Sequence, residues 1–181
     1  MSKISLGAEV YTWYMKENGK FWNNKLGHMI EVISKSGFKG IEPMHFWMGD
    51  YSDPNMLSDK LKKEKIDLAG IALCLEWNGP IETEQEKLEA DKIISLLSHF
   101  PDAVLCMCQL PTSRNDLINR RINLVNNINS VAKRAAEVGI KSSFHPNSPL
   151  TSTNRTEEDY DVILNGIDSS VLGWTPDVGH I

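Results

Sequence analysis

No stretch of this sequence is apolar for long enough to cross a bilayer: its longest apolar runs are strand-sized, about eight residues against the roughly 20 that a spanning helix needs. Residues 1–7 carry no apolar targeting stretch followed by a small-residue cleavage site, so the expected location is the cytoplasm. Cysteine is sparse and odd in number. Cys74, Cys106 and Cys108 lie inside apolar segments, which excludes a disulfide scaffold or zinc-knuckle spacing and points to reduced core residues. Basic charge is also short: 19 Lys and Arg stand against 24 Asp and Glu, for a net charge of -5 and a pI near 5.5. A chain that grips phosphate backbones needs a concentrated basic face, and none is present, so no nucleic acid and no membrane are expected as partners. Glycine-rich dinucleotide loops and P-loops are missing after every strand-like segment, which removes the usual nucleotide-binding signatures. The sequon beginning at Asn154 has no consequence in a chain that is never secreted.

What the sequence does have is alternation. Its 181 residues, 41% hydrophobic and 24% charged, suffice for one sizeable core, and a single domain over 1–181 is expected. Short apolar runs at 5–13, 40–44, 67–77, 103–110, 140–144 and 171–176 read as strands. Between them, apolar residues recur three and four apart, as in Leu26, Met29, Ile30 and Ile33, or Val125, Ile128, Val131 and Ala135. That spacing predicts amphipathic helices. Gly37 and Gly139 close helical stretches before a strand, while Asp53 before Pro54 and Thr112 before the longest helix read as N-terminal caps. Strands joined by helical crossovers give a parallel α/β sheet, either doubly wound or part of a (β/α)8 barrel.

Side-chain parity favours the barrel. Gly70, Ala72, Cys74 and Glu76 oppose Ile71, Leu73 and Leu75, and Ser143 and His145 oppose Phe144. One face is greasy, while the other is small and turns polar at the strand's C-terminal end, where barrel chemistry sits. The inward residues at the strand ends are Trp13, Glu42, Glu76 and Trp77, Gln109, His145, Asp177 and, just beyond, His180. Carboxylates with imidazoles suit a borderline divalent ion and also serve as acids and bases. An isolated Glu at a strand end is more often solvated, and His28, His45 and His99 read as surface, helix-end or loop residues. Two stretches carry more weight: Asp177, Gly179 and His180 on one turn, and His145 fixed by Pro146 with Asn147 two residues on.

In these segments the chain resembles the xylose isomerase-like (AP endonuclease family 2) TIM-barrel superfamily, which consists mainly of sugar phosphate isomerases and epimerases. The matching residues are 6–13 (LGAEVYTW) at the first strand, 37–42 (GFKGIE) at the second, 144–147 (FHPN) at the fifth and 177–180 (DVGH) at the sixth. The resemblance runs from residue 5 to the end and implies a (β/α)8 barrel with about six of its eight units present. A full barrel needs about 250 residues, so a truncated chain, or one completed by a second chain or a homo-oligomer across its open sheet edges, is expected.

The resemblance also implies site roles. His145 stands where the family places a metal-binding Glu, Asp177 where it places an Asp, and His180 where it places a histidine that touches substrate. The family's acid/base carboxylate is missing at the fifth strand, as in inosose dehydratase-like members, which leaves Glu42 as the best remaining acid/base candidate and Glu76 as runner-up. Trp13, Trp47 and Trp77 would stack on sugar faces, with Gln109 and Asn147 also at the substrate. The implied cofactor is a divalent metal (Mn, Co, Zn, Mg or Fe), and the implied reaction is isomerisation or epimerisation of a keto-sugar or keto-polyol through an enediolate. An inosose dehydratase-like lyase, a nuclease for abasic DNA, which the acidic charge opposes, and a non-catalytic binding module are the competing classes.

Overall fold

Residues 5–17, 22, 24–110 and 112–179 are described by the computed structural model. Among the described residues seven strands and six α-helices follow one another: β1 (Gly7–Glu9), α1 (Tyr11–Glu17), α2 (Leu26–Lys35), β2 (Gly40–Glu42), α3 (Pro54–Glu64), β3 (Asp67–Leu68), β4 (Gly70–Leu75), α4 (Glu84–Leu97), β5 (Val104–Gln109), α5 (Leu117–Glu137), β6 (Lys141–Phe144), α6 (Glu157–Gly166) and β7 (Leu172–Trp174). Every strand pair is parallel, in two ladders ordered β1-β2-β3 and β4-β5-β6-β7.

The two ladders are one row of strands with a step in it. Ala69 donates its N–H to Ile41 on one side and accepts from Val104 N–H on the other, so the segment from β3 to β4 changes partner without leaving the sheet. A bridge between Met44 and Ala72, with Ala72 N–H donating to Pro43 O at 2.9 Å, continues β2 alongside β4. Spatial order therefore follows chain order across the row. The fold is a partial parallel α/β barrel, and among the described residues the row does not close.

Most helices form where periodicity places them. Leu26, Met29, Ile30 and Ile33 bury one stripe of α2, and Leu124, Val125, Ile128, Val131 and Ala135 do the same on α5. Leu88, Ile122 and Leu164 instead face solvent, because the buried stripes of α4, α5 and α6 are set by their neighbours Ala90, Ile93, Leu124 and Ile163. Asp53 caps α3, accepting from the N–H groups of Asn55 and Met56 at 2.8 and 3.0 Å. Gly37 and Gly139 adopt φ of 88° and 79°, the left-handed conformation that ends a helix at least cost in glycine.

Three sequence expectations shift. The first strand stops at Glu9 rather than continuing to residue 13; the chain turns at Val10 into α1, whose Trp13 packs edge-on against Trp22 with ring centroids 6.2 Å apart. Thr112 does not cap α5. That helix starts at Leu117 behind a left-handed Asp116, and the Thr112 hydroxyl bonds Asn78 and Arg120 instead. Cys74 and Cys106 are core residues, whereas Cys108 is only half-buried. No helix among the described residues is long and apolar enough to cross a membrane.

Candidate active site at the C-terminal ends of the strands

β6 ends at Phe144, and the next residue is held in the sheet by its backbone: His145 N–H donates to Met107 O at 2.8 Å. The neighbouring strand is fixed in the same way, with Thr175 N–H on Phe144 O at 2.9 Å and Thr175 Oγ1 bonded to Ser143 Oγ at 2.6 Å. These bonds deliver two side chains to one point. His145 Nε2 lies 3.1 Å from Asp177 Oδ2, a pairing of imidazole and carboxylate from adjacent strand ends. The other carboxylate oxygen, Oδ1, accepts the Gly179 N–H at 2.7 Å. Gly179 thus serves as a donor in a tight turn: a Cβ there would sit 3.1 Å from Asp177 Oδ1.

The pair opens onto a cavity of about 370 Å³ lined by Glu9, Tyr11, Tyr14, Met44, Phe46, Ala72, Cys74, Cys108, Leu110, His145, Asn147, Pro149 and Asp177. That size takes a small metabolite. Asn147 is positioned by its Nδ2, which donates to Cys108 Sγ at 3.0 Å and to Gln109 O.

Glu9 is the residue that strand periodicity did not single out. It is the last residue of β1 and the register partner of Glu42 at the end of β2. Burial first, then the charges of Glu42 and Asp177, push its pKa up to about 7. Glu42 sits behind it, next to the cavity rather than lining it, and its pKa too is raised by burial, with the Cys106 thiol and the His145 imidazole pulling part of the way back. Its Oε1 is buried without a hydrogen-bond partner. The signal for Glu9 was present in the sequence as a lone carboxylate of the same parity as Gly7, but a strand read through to residue 13 pointed past it to Trp13.

The remaining expected site residues lie elsewhere. Trp47 and Trp77 are 2% and 0% exposed, inside the core rather than on the cavity wall, and Tyr11, Tyr14 and Phe46 supply its aromatic surface. Gln109 is 2% exposed and braces loops, donating to Glu76 O at 2.9 Å and accepting from the Thr153 hydroxyl. Glu76 is exposed, bonds Asn78 at 2.7 Å and borders a neighbouring groove. His45 accepts the Cys74 N–H on Nδ1 at 3.2 Å, so its Nε2–H donates to Glu89 at 3.2 Å; it fastens the end of β4 from outside. His180 lies outside the described residues.

The donor set fits a divalent cation. His145 and Asp177 already share a point, the carboxyl groups of Glu9 and Glu42 stand close by, and a buried Glu42 oxygen lacks a donor. Among the described residues no three His, Cys, Asp or Glu side chains are grouped closely enough to hold an ion by themselves, and His145 with Asp177 makes two such donors at one point.

No family model matches the sequence, and no curated protein is similar to it in sequence. Solved structures match in fold, and several of them are xylose isomerase-like TIM barrel proteins. D-psicose 3-epimerase from Clostridium cellulolyticum, solved with D-tagatose, superimposes with a TM-score of 0.71 at 17% identity over 96% of this chain. An IolI protein with a bound zinc atom gives 0.70 at 14% identity over 94%, and a xylose isomerase-like TIM barrel protein from Mycobacterium smegmatis in complex with magnesium gives 0.68 at 14% over 97%. The chain spans 63%, 62% and 65% of those three chains, respectively. At these identities the likeness establishes the fold.

Proposed function

We propose that this chain carries the catalytic half-site of a divalent-metal-dependent isomerase or epimerase acting on a keto-sugar or keto-polyol. The observation that carries this reading is the approach of His145 Nε2 to Asp177 Oδ2, 3.1 Å apart on a cavity that Glu9 shares. His145 and Asp177 would hold the metal, and the Gly179 N–H orients the Asp177 carboxylate. When bound, the ion supplies a Lewis acid that lowers the cost of negative charge on a substrate oxygen.

The protein's own groups do the rest. Glu9, poised near pH 7, takes the α proton as a carboxylate and returns it as a carboxylic acid, which is the match of pKa to working pH that general acid/base catalysis favours. Return by Glu9 to the adjacent carbon moves the carbonyl, whereas inversion of the same carbon takes a proton from a second acid on the opposite face. Tyr11, Tyr14 and Phe46 cover the apolar faces of the sugar and exclude water, while Asn147 lines the wall beside His145. The known proteins that share the fold support this class: one is a ketohexose epimerase, and two were solved with zinc or magnesium.

The test is proton NMR of ketohexoses and keto-inositols in heavy water with the protein and Mn²⁺. Exchange of the α proton without loss of water supports the reading, and exchange with loss of water assigns a lyase instead. Absence of exchange in a protein shown to bind the metal would overturn it.

A further inference from the structure

Two of the three cysteines share the cavity. Cys74 on β4 and Cys108 on β5 are register partners in the parallel ladder, so their side chains leave the same face of the sheet side by side. Neighbouring strands are about 4.8 Å apart, inside the Cα separation of about 4.4–6.8 Å that a disulfide spans. The two sulfurs are not equivalent. Cys108 is half-buried and reachable from the cavity, and its sulfur accepts the Asn147 amide at 3.0 Å. Cys74 is 7% exposed, and its interaction with the neighbouring Cys108 thiol, with burial, pushes its own pKa well up. Cys106 lies two residues back along β5, beside Glu42 rather than on the cavity wall.

We propose that Cys74 and Cys108 are a reversible dithiol–disulfide pair, oxidised by a hydroperoxide that enters the cavity, with Cys108 as the attacking and Cys74 as the resolving thiol. Cys108 gives up its proton and its sulfur attacks the outer peroxide oxygen; the O–O bond breaks, and with hydrogen peroxide water leaves and a sulfenic acid remains. The Cys74 sulfur then attacks that sulfur, the S–O bond breaks and a second water leaves. Two thiols are oxidised, one peroxide is reduced, and a dithiol reductant reverses the change. Cys108 is the less buried of the two sulfurs and so the one a peroxide in the cavity reaches first, and the register places the resolving thiol beside it.

The experiment treats the reduced protein with equimolar hydrogen peroxide and reads intact mass and peptide maps. The expected result is a monomer lighter by two hydrogen atoms, with Cys74 and Cys108 linked and only Cys106 still alkylated. C106S forms the same link. C108S loses it, and C74S accumulates a Cys108 sulfenic acid that dimedone traps, which identifies the attacking sulfur even if C108S is poorly folded. Three alkylatable thiols after treatment, a linkage through Cys106, or cross-links only between molecules would each overturn the proposal.

Discussion

Glu9 and Glu42 stand directly opposite one another in the register of β1 and β2, two acids on one face of a parallel sheet at the end where the cavity opens. Each is buried enough that its charge is costly, and the charge of Glu42 raises the cost for Glu9 further. Glu9 responds by holding its proton to about pH 7, against 4.5 for an ordinary glutamate. A carbon-13 titration of the Glu9 carboxyl in metal-free protein is expected to show a midpoint near 7 that falls in E42Q. A midpoint in the ordinary carboxylate range would contradict the assignment of Glu9 as the proton carrier. In turnover, E9Q is expected to lower kcat by about 10²–10⁴-fold, the usual worth of a positioned acid or base.

The same residue leaves a mark on stability. Because the folded state binds the Glu9 proton more tightly than the unfolded state, its favourable contribution is complete below pH 4.5 and is lost as pH rises through about 7. Replacing it with Gln removes that loss. E9Q is therefore expected to be more stable than the parent at pH 8 by about 1–3 kcal/mol, with little difference near pH 4, as read from urea unfolding.

Asp159 shows the opposite sign. It is fully buried at the start of α6 and accepts from Arg114 at 2.8 Å, from Arg121 at 2.7 Å, and from the backbone N–H groups of Arg155 and Thr156. Burial alone would raise its pKa, but these donors outweigh burial and hold the carboxyl well below its usual range. Its stabilisation is present above pH 3.8 and disappears as pH falls toward the folded-state value. D159N is expected to cost about 3–5 kcal/mol at pH 7, because Arg121, 4% exposed, loses its buried partner. The penalty shrinks as pH falls below 3.8, where the unfolded parent takes up a proton that the folded carboxyl still resists.

Trp77 separates a core role from a binding role. It is fully buried, has φ of 46°, and its backbone N–H donates to Glu86 Oε1 at 2.6 Å, tying the end of β4 to the capping box of α4. W77A is expected to destabilise the fold by about 3–5 kcal/mol through the cavity it leaves, with no specific change in KM for the molecules that remain folded. Thermal unfolding alongside steady-state kinetics would show this.

The architecture was legible in the sequence because it rests on periodicity and punctuation. The alternation of strands and helices, the left-handed glycines at 37 and 139 and the Asp53 cap stand where the pattern puts them, and the parity of β4 to β6 points to a polar strand end. The aromatic wall was not legible. Trp47 and Trp77 follow strand ends just as cavity residues do, and only the turn at Trp77 and the short helical turn at Trp47 decide that they face the core. Glu9 was hidden for a related reason: nothing local announces that the chain leaves the sheet at Val10 and begins α1, so the strand seemed to end at an aromatic residue. Long-range packing, not propensity, makes both choices.

The central claim is that His145 and Asp177 form one metal site, and calorimetric titration of the metal-free protein with Mn²⁺ tests it most directly. The parent is expected to bind a single ion, and H145A and D177A are each expected to lose that binding while keeping the parent circular dichroism spectrum. Unchanged Mn²⁺ affinity in both folded variants would contradict the account.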